Sequence, residues 1–397
     1  MIKKLVPEGL VGFYHQFWPL FGAVIYRFPA YSAGRPSKKI KVIGVTGTNG
    51  KTTVVHLATE ILEKAGHRVA SISSLRFKIG KKEWKNELKM TMPGRIKIQK
   101  FLRQAVNAGC EYVVMEVTSE GIKQYRHKFI DFDVAVFTNL TPEHLERHGG
   151  FENYKKAKGE LFRAAGACVI NSDDANAIYF SNLCKGKKYG YSARSNNMDL
   201  KLSMPGEFNL ANALAAAYVG LSQGVDIAII KRALEKFEGV PGRMEVVVKE
   251  PFTVIVDYAH TPDALEKVYK TIKANDRLIC VLGAAGGGRD KWKRPQMGKI
   301  AARYCDEIIL TNEDPYEEDP GSILDQIESG LLKVQNCYRI LDRKEAIKKA
   351  LQDARRGDTV IITGKGAEPW LVTKEGKIPW DDREVVRSLN PMPKPQL

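Results

Sequence analysis

Six cysteines are scattered through 397 residues with no C-x-x-C pair among them. That spacing offers neither the paired ligands of a structural zinc site nor the framework of a small disulfide-rich fold. Cys110, Cys168, Cys184, Cys280, Cys305 and Cys337 therefore read as reduced, mostly buried thiols of a cytoplasmic chain. Long apolar runs are also missing. The most hydrophobic stretch, residues 10–31, is broken by His15, Gln16, Pro19 and Arg27, which argues against a spanning helix. Acidic residues are in deficit, with 46 Asp and Glu against 62 Lys and Arg and a formal charge of +16. Such an excess implies anionic partners. No DNA- or RNA-binding motif and no aromatic-basic repeat accompanies it, so small anions or an acidic membrane surface are favoured over nucleic acid. A clean G-x-G-x-x-G followed by an acid on the next strand is absent too, and the glycine cluster at 283–288 does not read as a dinucleotide site. Length and the ordinary 44% hydrophobic and 27% charged composition point to a globular chain of two or three domains.

What the sequence does contain is organised around residues 41–53, KVIGVTGTNGKTT. A short β-rich run leads to Gly47 and Gly50, which permit a tight turn, and helical spacing of apolar residues follows until Gly66. Backbone N–H groups of Gly47, Thr48, Asn49, Gly50 and Thr53 would converge with a helix N-terminus on an anion. Lys51 would reach the terminal phosphates of a nucleotide and the Thr52 hydroxyl the Mg²⁺ that bridges them. The general phosphate-loop pattern places Gly six residues before the Lys, whereas this chain has Val45 there. The match is to the shorter GTNGKT.

From residue 38 onward, strand-like and helix-like runs alternate, which predicts an α/β fold with a largely parallel sheet. Predicted strands include 69–73, 112–117, 134–138, 168–171, 253–256, 277–283, 307–311 and 359–363. Ligands gather at the carboxyl ends of such strands. There stand MEVTSE at 115–120, where Glu116 suits either a structural acid or a cation ligand, and TNLTPEHLERHG at 138–149. His144 and His148 could share a helical face, but no third ligand of zinc type lies nearby. Pro and Gly in GVPGRME at 239–245 mark a domain boundary. The expected layout is an N-terminal arm at 1–37, a nucleotide-binding α/β domain at 38–240 and a second α/β domain at 241–397.

GTNGKTT, MEVTSE, NLTPEHLERHG, YKKAKGELF at 154–162 and GEFNLANALAA at 206–216 resemble the Mur ligases, in particular the branch that adds the third residue of the peptidoglycan stem peptide. The resemblance runs from about residue 38 to 389. It implies an ATP-dependent, ADP-forming amide ligase with two Mg²⁺ ions, in which 38–240 is the central ATP-binding domain and 241–397 a C-terminal Rossmann-like, amino-acid-binding domain. Lys51 and Thr52 would hold phosphates and the first cation; Glu116 and His144 would serve the metals. Lys158 stands where the family carries a carbamylated lysine. Asn212 would touch the adenine, Arg243 the γ-phosphate, Asp257 the ribose, and Tyr258 and His260 would line the nucleotide. On the substrate side the resemblance implies Thr91 for the acceptor, Arg289 for the carboxylate of the incoming amino acid, and Glu368, beside Gly364, for its amino group.

Three departures bear on the substrates. Where enzymes adding meso-diaminopimelate show Asp-Asn-Pro-Arg, this chain has Glu313, Asp314, Pro315 and Tyr316. A tyrosine does not replace a bidentate guanidinium, and Asp314 would favour a cationic side chain such as lysine. The Thr-Thr-Pro that positions the muramoyl substrate is Thr91, Met92, Pro93. Only about 37 residues precede the nucleotide-binding segment, so the family's N-terminal uridine-nucleotide-binding domain is expected to be absent. The aromatic arm in its place reads either as an interfacial anchor on anionic lipid or as a packing segment. The expected partners are an anionic muramoyl-peptide-like acceptor and a free amino acid. A ligase of the same superfamily acting on another acceptor, folylpolyglutamate-like or lipid-linked, and a non-catalytic nucleotide-binding scaffold are the competing readings.

Overall fold

A computed structural model describes residues 8–31, 40–88, 90–196, 198–272, 277–331 and 336–389, with side chains from residue 17 onward. The expectations for residues 1–7 and 32–37 lie outside the described residues. The chain divides into two compact units. The first takes the residues up to Pro142, His148–Ser203 and Glu207–Phe237; the second takes Glu143–Arg147, Met204–Gly206 and the residues from Glu238 on.

The first unit is a mixed sheet with helices on both faces. Its strands are β1 (Lys41–Thr46), β2 (Val69–Ile72), β3 (Arg76–Ile79), β4 (Lys82–Lys85), β5 (Tyr112–Glu116), β6 (Val134–Phe137), β7 (Ala167–Asn171) and β8 (Lys187–Tyr191). They lie in the order β4-β3-β2-β5-β1-β6-β7-β8, parallel from β2 to β8 and antiparallel across β2-β3-β4. The helices are α1 (Glu8–Ile25), α2 (Lys51–Lys64), α3 (Arg95–Asn107), α4 (Ser119–Lys123), α5 (Leu145–His148), α6 (Phe151–Arg163), α7 (Ala177–Leu183), α8 (Glu207–Ser222) and α9 (Ile227–Glu235), of which α5 straddles the division between units. Central strands read as unbroken apolar runs because both faces are covered. Val42, Val113, Ala135 and Cys168 are fully buried on neighbouring strands, and a fully buried aliphatic side chain contributes ~1.5–3 kcal/mol. Gly44 is where β1 meets its cover: a Cβ there would come within 2.7 Å of the Phe132 ring.

The second unit repeats the plan. Its strands are β9 (Glu245–Val248), β10 (Thr253–Val256), β11 (Leu278–Leu282), β12 (Glu307–Leu310), β13 (Cys337–Arg339) and β14 (Thr359–Ile362), in the order β13-β12-β11-β14-β10-β9, with only β9 antiparallel. A hairpin of β15 (Trp370–Thr373) and β16 (Gly376–Pro379) stands beside it. Helices α10 (Pro262–Ile272), α11 (Lys293–Tyr304), α12 (Pro320–Glu328), α13 (Arg343–Asp353) and α14 (Asp382–Leu389) complete it. A buried ion pair ties its last helix down: Arg343 grips Asp382 at 2.7 and 2.9 Å and also donates to the Thr363 carbonyl at 2.8 Å.

The structure corrects the reading of the cysteines. Cys168 at β7 is bonded to Cys184 after α7, and Cys280 on β11 to Cys305 before β12; Cys110 and Cys337 are free. Each bond joins a strand to the end of a following helix, 16 and 25 residues away. Spacing along the chain does not reveal such pairs, because the βα return sets the distance. No helix among the described residues is long and apolar enough to cross a membrane.

Candidate active site

At the carboxyl end of β1 the chain turns through Gly47 and Gly50 into α2. Gly50 has φ +85°, and a Cβ on it would meet Asn212 Oδ1 of α8 at 2.2 Å, so only glycine fits this turn. The loop is fastened to the segment after β6. Asn49 N–H donates to Asn139 Oδ1 at 2.9 Å, Thr138 Oγ1 donates to the Asn49 carbonyl at 2.7 Å, and Thr48 Oγ1 accepts from Thr141 N–H at 3.0 Å. Asn212 thus lies against the turn.

Two lysines converge on one carbonyl. Lys51 Nζ donates to the Gly47 carbonyl at 3.0 Å and to that of Thr48 at 2.7 Å, and Lys158 Nζ of α6 donates to the Gly47 carbonyl at 2.8 Å. Lys158 is 2% exposed and lies over the Tyr154 ring at 4.6 Å. Burial, and then the charge of Lys51, press its pKa well below the ordinary lysine value. Two ammonium groups on one carbonyl at the turn concentrate positive charge there, which favours an anion.

Beside it, at the end of β5, Glu116 is 1% exposed. Its Oε1 accepts from Thr52 Oγ1 at 2.8 Å and from Ser74 N–H at 2.7 Å, and its Oε2 from Ser74 Oγ at 3.2 Å. Thr91 reaches this group through Ser74 Oγ, 3.0 Å away. A carboxylate and a threonine hydroxyl at a phosphate-binding turn are hard oxygen donors of the kind that suits Mg²⁺. His144, with φ +57°, belongs to the Glu143–Arg147 segment of the second unit. The four residues assigned to metal are therefore divided between the units, with Thr52, Glu116 and Lys158 in the first.

In the second unit the assigned residues gather at the carboxyl ends of β10, β11, β12 and β14. Asp257 accepts backbone N–H from Met244 and from Ala259, both at 2.7 Å, so its carboxylate ties the 242–244 turn to the end of β10. Burial raises its pKa, against the nearby Arg243 charge. Arg243 stacks on the Tyr258 ring at 4.0 Å. Tyr258 OH donates to Glu368 Oε1 at 2.8 Å, and the Tyr258 carbonyl accepts from His260 Nδ1 at 2.9 Å. Burial, and then Lys293, push His260 well below its ordinary range. Arg289 lies in the electrostatic reach of Tyr258, Tyr316, Glu143 and Glu368.

Lys365 and Glu313 are the residues that motif reading passed over. Lys365, 1% exposed, donates to Asp314 Oδ2 at 2.8 Å and to Glu368 Oε2 at 2.7 Å. Burial works against the Lys365 charge, but Glu368 and Asp314 together hold its pKa above the ordinary value. Burial likewise presses Glu368 upward, and Lys365 with the Tyr258 hydroxyl outweighs it. The second Asp314 oxygen accepts from Val372 N–H at 2.8 Å. Glu313, by contrast, is 4% exposed and its Oε2 has no hydrogen-bond partner. That oxygen lies so close to Gly364, φ +104°, that a Cβ there would come within 2.3 Å. Burial and the adjacent Asp314 push the Glu313 carboxyl up to about 7. Its place three residues past the end of β12, beside Asp314, was the sequence signal for it; its approach to Gly364 is tertiary.

Comparison with known proteins places these units in a family. The model of the Mur ligase middle domain matches residues 45–197, and that of the Mur ligase, glutamate ligase domain matches 242–366. The UDP-N-acetylmuramoyl-L-alanyl-D-glutamate--2,6-diaminopimelate ligase of Syntrophomonas wolfei is 40% identical over 390 residues, covering 90% of this chain and 79% of its own. The protein of that name from Geobacillus thermodenitrificans is 38% identical over 392 residues, covering 89% and 80%. A solved ligase structure of the same name has a TM-score of 0.60 at 31% identity, covering 90% of this chain and 80% of its own. Folylpolyglutamate synthase of Mycobacterium tuberculosis, at a TM-score of 0.68 but 17% identity over 85% and 92%, shares the fold. With relatives this similar over about four-fifths of their length, the chain belongs to the Mur ligase family.

Proposed function

We propose that this protein is an ATP-dependent, ADP-forming ligase that joins an amino acid to a muramoyl-peptide-like carboxylate in cell-wall precursor synthesis. The observation that carries this reading is the buried Glu116 carboxylate hydrogen-bonded to Thr52 at the phosphate turn. A scaffold that merely held a nucleotide would have no use for a buried cation-binding acid. The folylpolyglutamate alternative has likeness of fold behind it, whereas the stem-peptide ligases match in sequence across nearly the whole chain.

An acceptor carboxylate oxygen attacks the γ-phosphorus of ATP, the bond to the β–γ bridging oxygen breaks, and ADP leaves an acyl phosphate behind. Lys51 and Arg243 spread the charge of the transferring phosphoryl group. Thr52, Glu116, His144 and a carbamylated Lys158 would hold two Mg²⁺ ions, which supply further charge neutralisation there. Lys158 is suited to carbamylation because burial favours its neutral amine; that amine attacks CO₂, loses a proton and becomes an anionic carbamate. The incoming amine then attacks the acyl carbon, the carbon–oxygen bond to phosphate breaks, and a proton is released with inorganic phosphate. Asn212, Asp257, Tyr258 and His260 line the nucleotide, and Thr91 positions the acceptor.

Arg289 receives the carboxylate of the amino acid and Glu368 its amino group. Beyond them Tyr316 stands in place of a guanidinium, which disfavours meso-diaminopimelate although the relatives are named for it. The assignment of Asp314 to a cationic side chain is revised on its geometry, since both its oxygens are engaged by Lys365 and Val372. Glu313, with its unpartnered oxygen, is the acid left to receive a distal amine such as that of lysine. The same reading places the enzyme in the cytoplasm, with residues 1–37 contacting the inner face of the cell membrane.

The test is a matrix of amino acids against UDP-linked and lipid-linked muramoyl peptides, read as ADP release and by mass spectrometry of the product. ADP formation that depends on both substrates is expected. ADP release indifferent to either one would sink the ligase reading.

A further inference from the structure

Helix α1 is packed inside out. Pro19, Gly22 and Ala23 face inward and are buried, and Gly22 sits so tightly on α3 that a Cβ would lie 3.1 Å from Ile96 Cα. The large apolar residues point the other way: Phe17 is 45% exposed, Leu20 42%, Phe21 41%, Val24 56% and Ile25 51%. At 100° per residue these five occupy one side of the helix, opposite the side centred on Pro19 and flanked by Gly22 and Ala23. Phe17 stacks on Phe21 at 5.9 Å, and Trp18 meets Phe21 edge-on at 5.5 Å, so the aromatic side chains of this face pack on one another. The helix is also held at its end, where Arg103 of α3 donates to the carbonyls of Tyr26 at 2.8 Å and Arg27 at 2.9 Å. A helix fastened by its small residues, with its large ones turned to solvent, is a surface waiting for an apolar partner.

The charge around it says which partner. Phe129 packs its ring against Phe28 and Tyr31, and Gln99 of α3 donates to its carbonyl, which joins three segments, residues 17–31, 95–107 and 123–131. Together they carry eight Lys and Arg against Asp131 alone. Arg27, Lys97, Lys100, Lys123 and Lys128 are exposed. A second copy of this chain would bring the same five exposed cations to the contact, and like charges would oppose it. We propose that the α1 face and its basic surround form an interfacial docking surface for an anionic lipid bilayer, with Leu20, Phe21, Val24 and Ile25 entering the boundary between headgroups and acyl chains. This rests on the membrane contact proposed above, to which it gives residues, orientation and lipid charge. It places the enzyme where a lipid-anchored or membrane-delivered acceptor would be found.

Flotation of the full-length protein with vesicles tests it, using phosphatidylcholine alone and phosphatidylcholine with phosphatidylglycerol. Retention is expected on the anionic vesicles and not on the neutral ones, falling as salt is raised. The double variant Phe21→Glu, Val24→Glu should lose vesicle affinity by about tenfold or more, and Lys97→Glu, Lys100→Glu should weaken it while leaving α1 apolar. Both pairs lie on the surface and should keep the wild-type melting temperature and ADP release in solution, so failure of the docking surface is distinguishable from failure of the ligase reading. Absence of retention on anionic vesicles overturns the proposal. So does retention indifferent to Phe21→Glu, Val24→Glu, which would mean adsorption elsewhere on a basic protein. A concentration-dependent dimer abolished by that variant would assign the face to a second copy instead.

Discussion

Glu313 is a carboxyl group with no hydrogen-bond partner for one of its oxygens, whereas its neighbours Asp314 and Glu368 are both engaged by Lys365. Its pKa, raised from 4.5 to about 7 by burial and Asp314, has a stability consequence. Because the folded value lies above the unfolded one, the contribution is fully present below about pH 4.5 and is lost as pH rises through about 7. Glu313→Gln should remove a pH-dependent loss on the order of 3 kcal/mol, visible as a flatter urea midpoint between those pH values than in the wild type. If the two profiles run parallel, the Glu313 carboxyl is not the group that titrates. Lys158 makes the matching prediction in the first unit. Lys158→Ala should abolish ADP release, and short carboxylic acids should partly restore it by occupying the anionic position of the carbamate; an active unrescued variant would remove the carbamate from the mechanism.

At the scale of elements, the turn between β1 and α2 combines a left-handed backbone with a close approach. Gly50→Ala would place a Cβ against Asn212 and also strain φ +85°, which costs about 1 kcal/mol or more for a non-glycine residue. ATP affinity should fall by at least the equivalent several-fold, measured by nucleotide titration. The strands show a similar division between what is local and what is not. Buried parallel strands such as β1 and β5 stand out in the sequence as apolar runs, whereas β3 and β4 are short, antiparallel and largely polar, and carry no such signal. The two disulfides were hidden for a different reason: nothing in the spacing of Cys168, Cys184, Cys280 and Cys305 marks which helix returns beside which strand. Thiol counting in denaturant without reductant should find two reactive thiols, those of Cys110 and Cys337; six would show the bonds to be absent.

Across the molecule, Lys51, Thr52, Glu116 and Lys158, the residues proposed to handle phosphate and its cations, belong to the first unit, and Arg289, Glu313, Lys365 and Glu368 to the second. Kinetics should follow that division. Arg289→Ala should raise the amino-acid KM by roughly 10- to 100-fold, the worth of a charge-assisted hydrogen bond, with little change in the ATP KM. Lys51→Ala should do its damage to ATP turnover instead. The phosphate turn, the α/β class and the order of the family motifs follow from sequence alone, because a phosphate loop and a parallel sheet are written in local spacing and apolar periodicity. Which acid keeps a free oxygen, which lysine neutralises Asp314, which cysteines meet and which face of α1 is left to solvent were decided only by tertiary structure. Each depends on contacts between residues far apart in the chain, and such contacts leave no period to read.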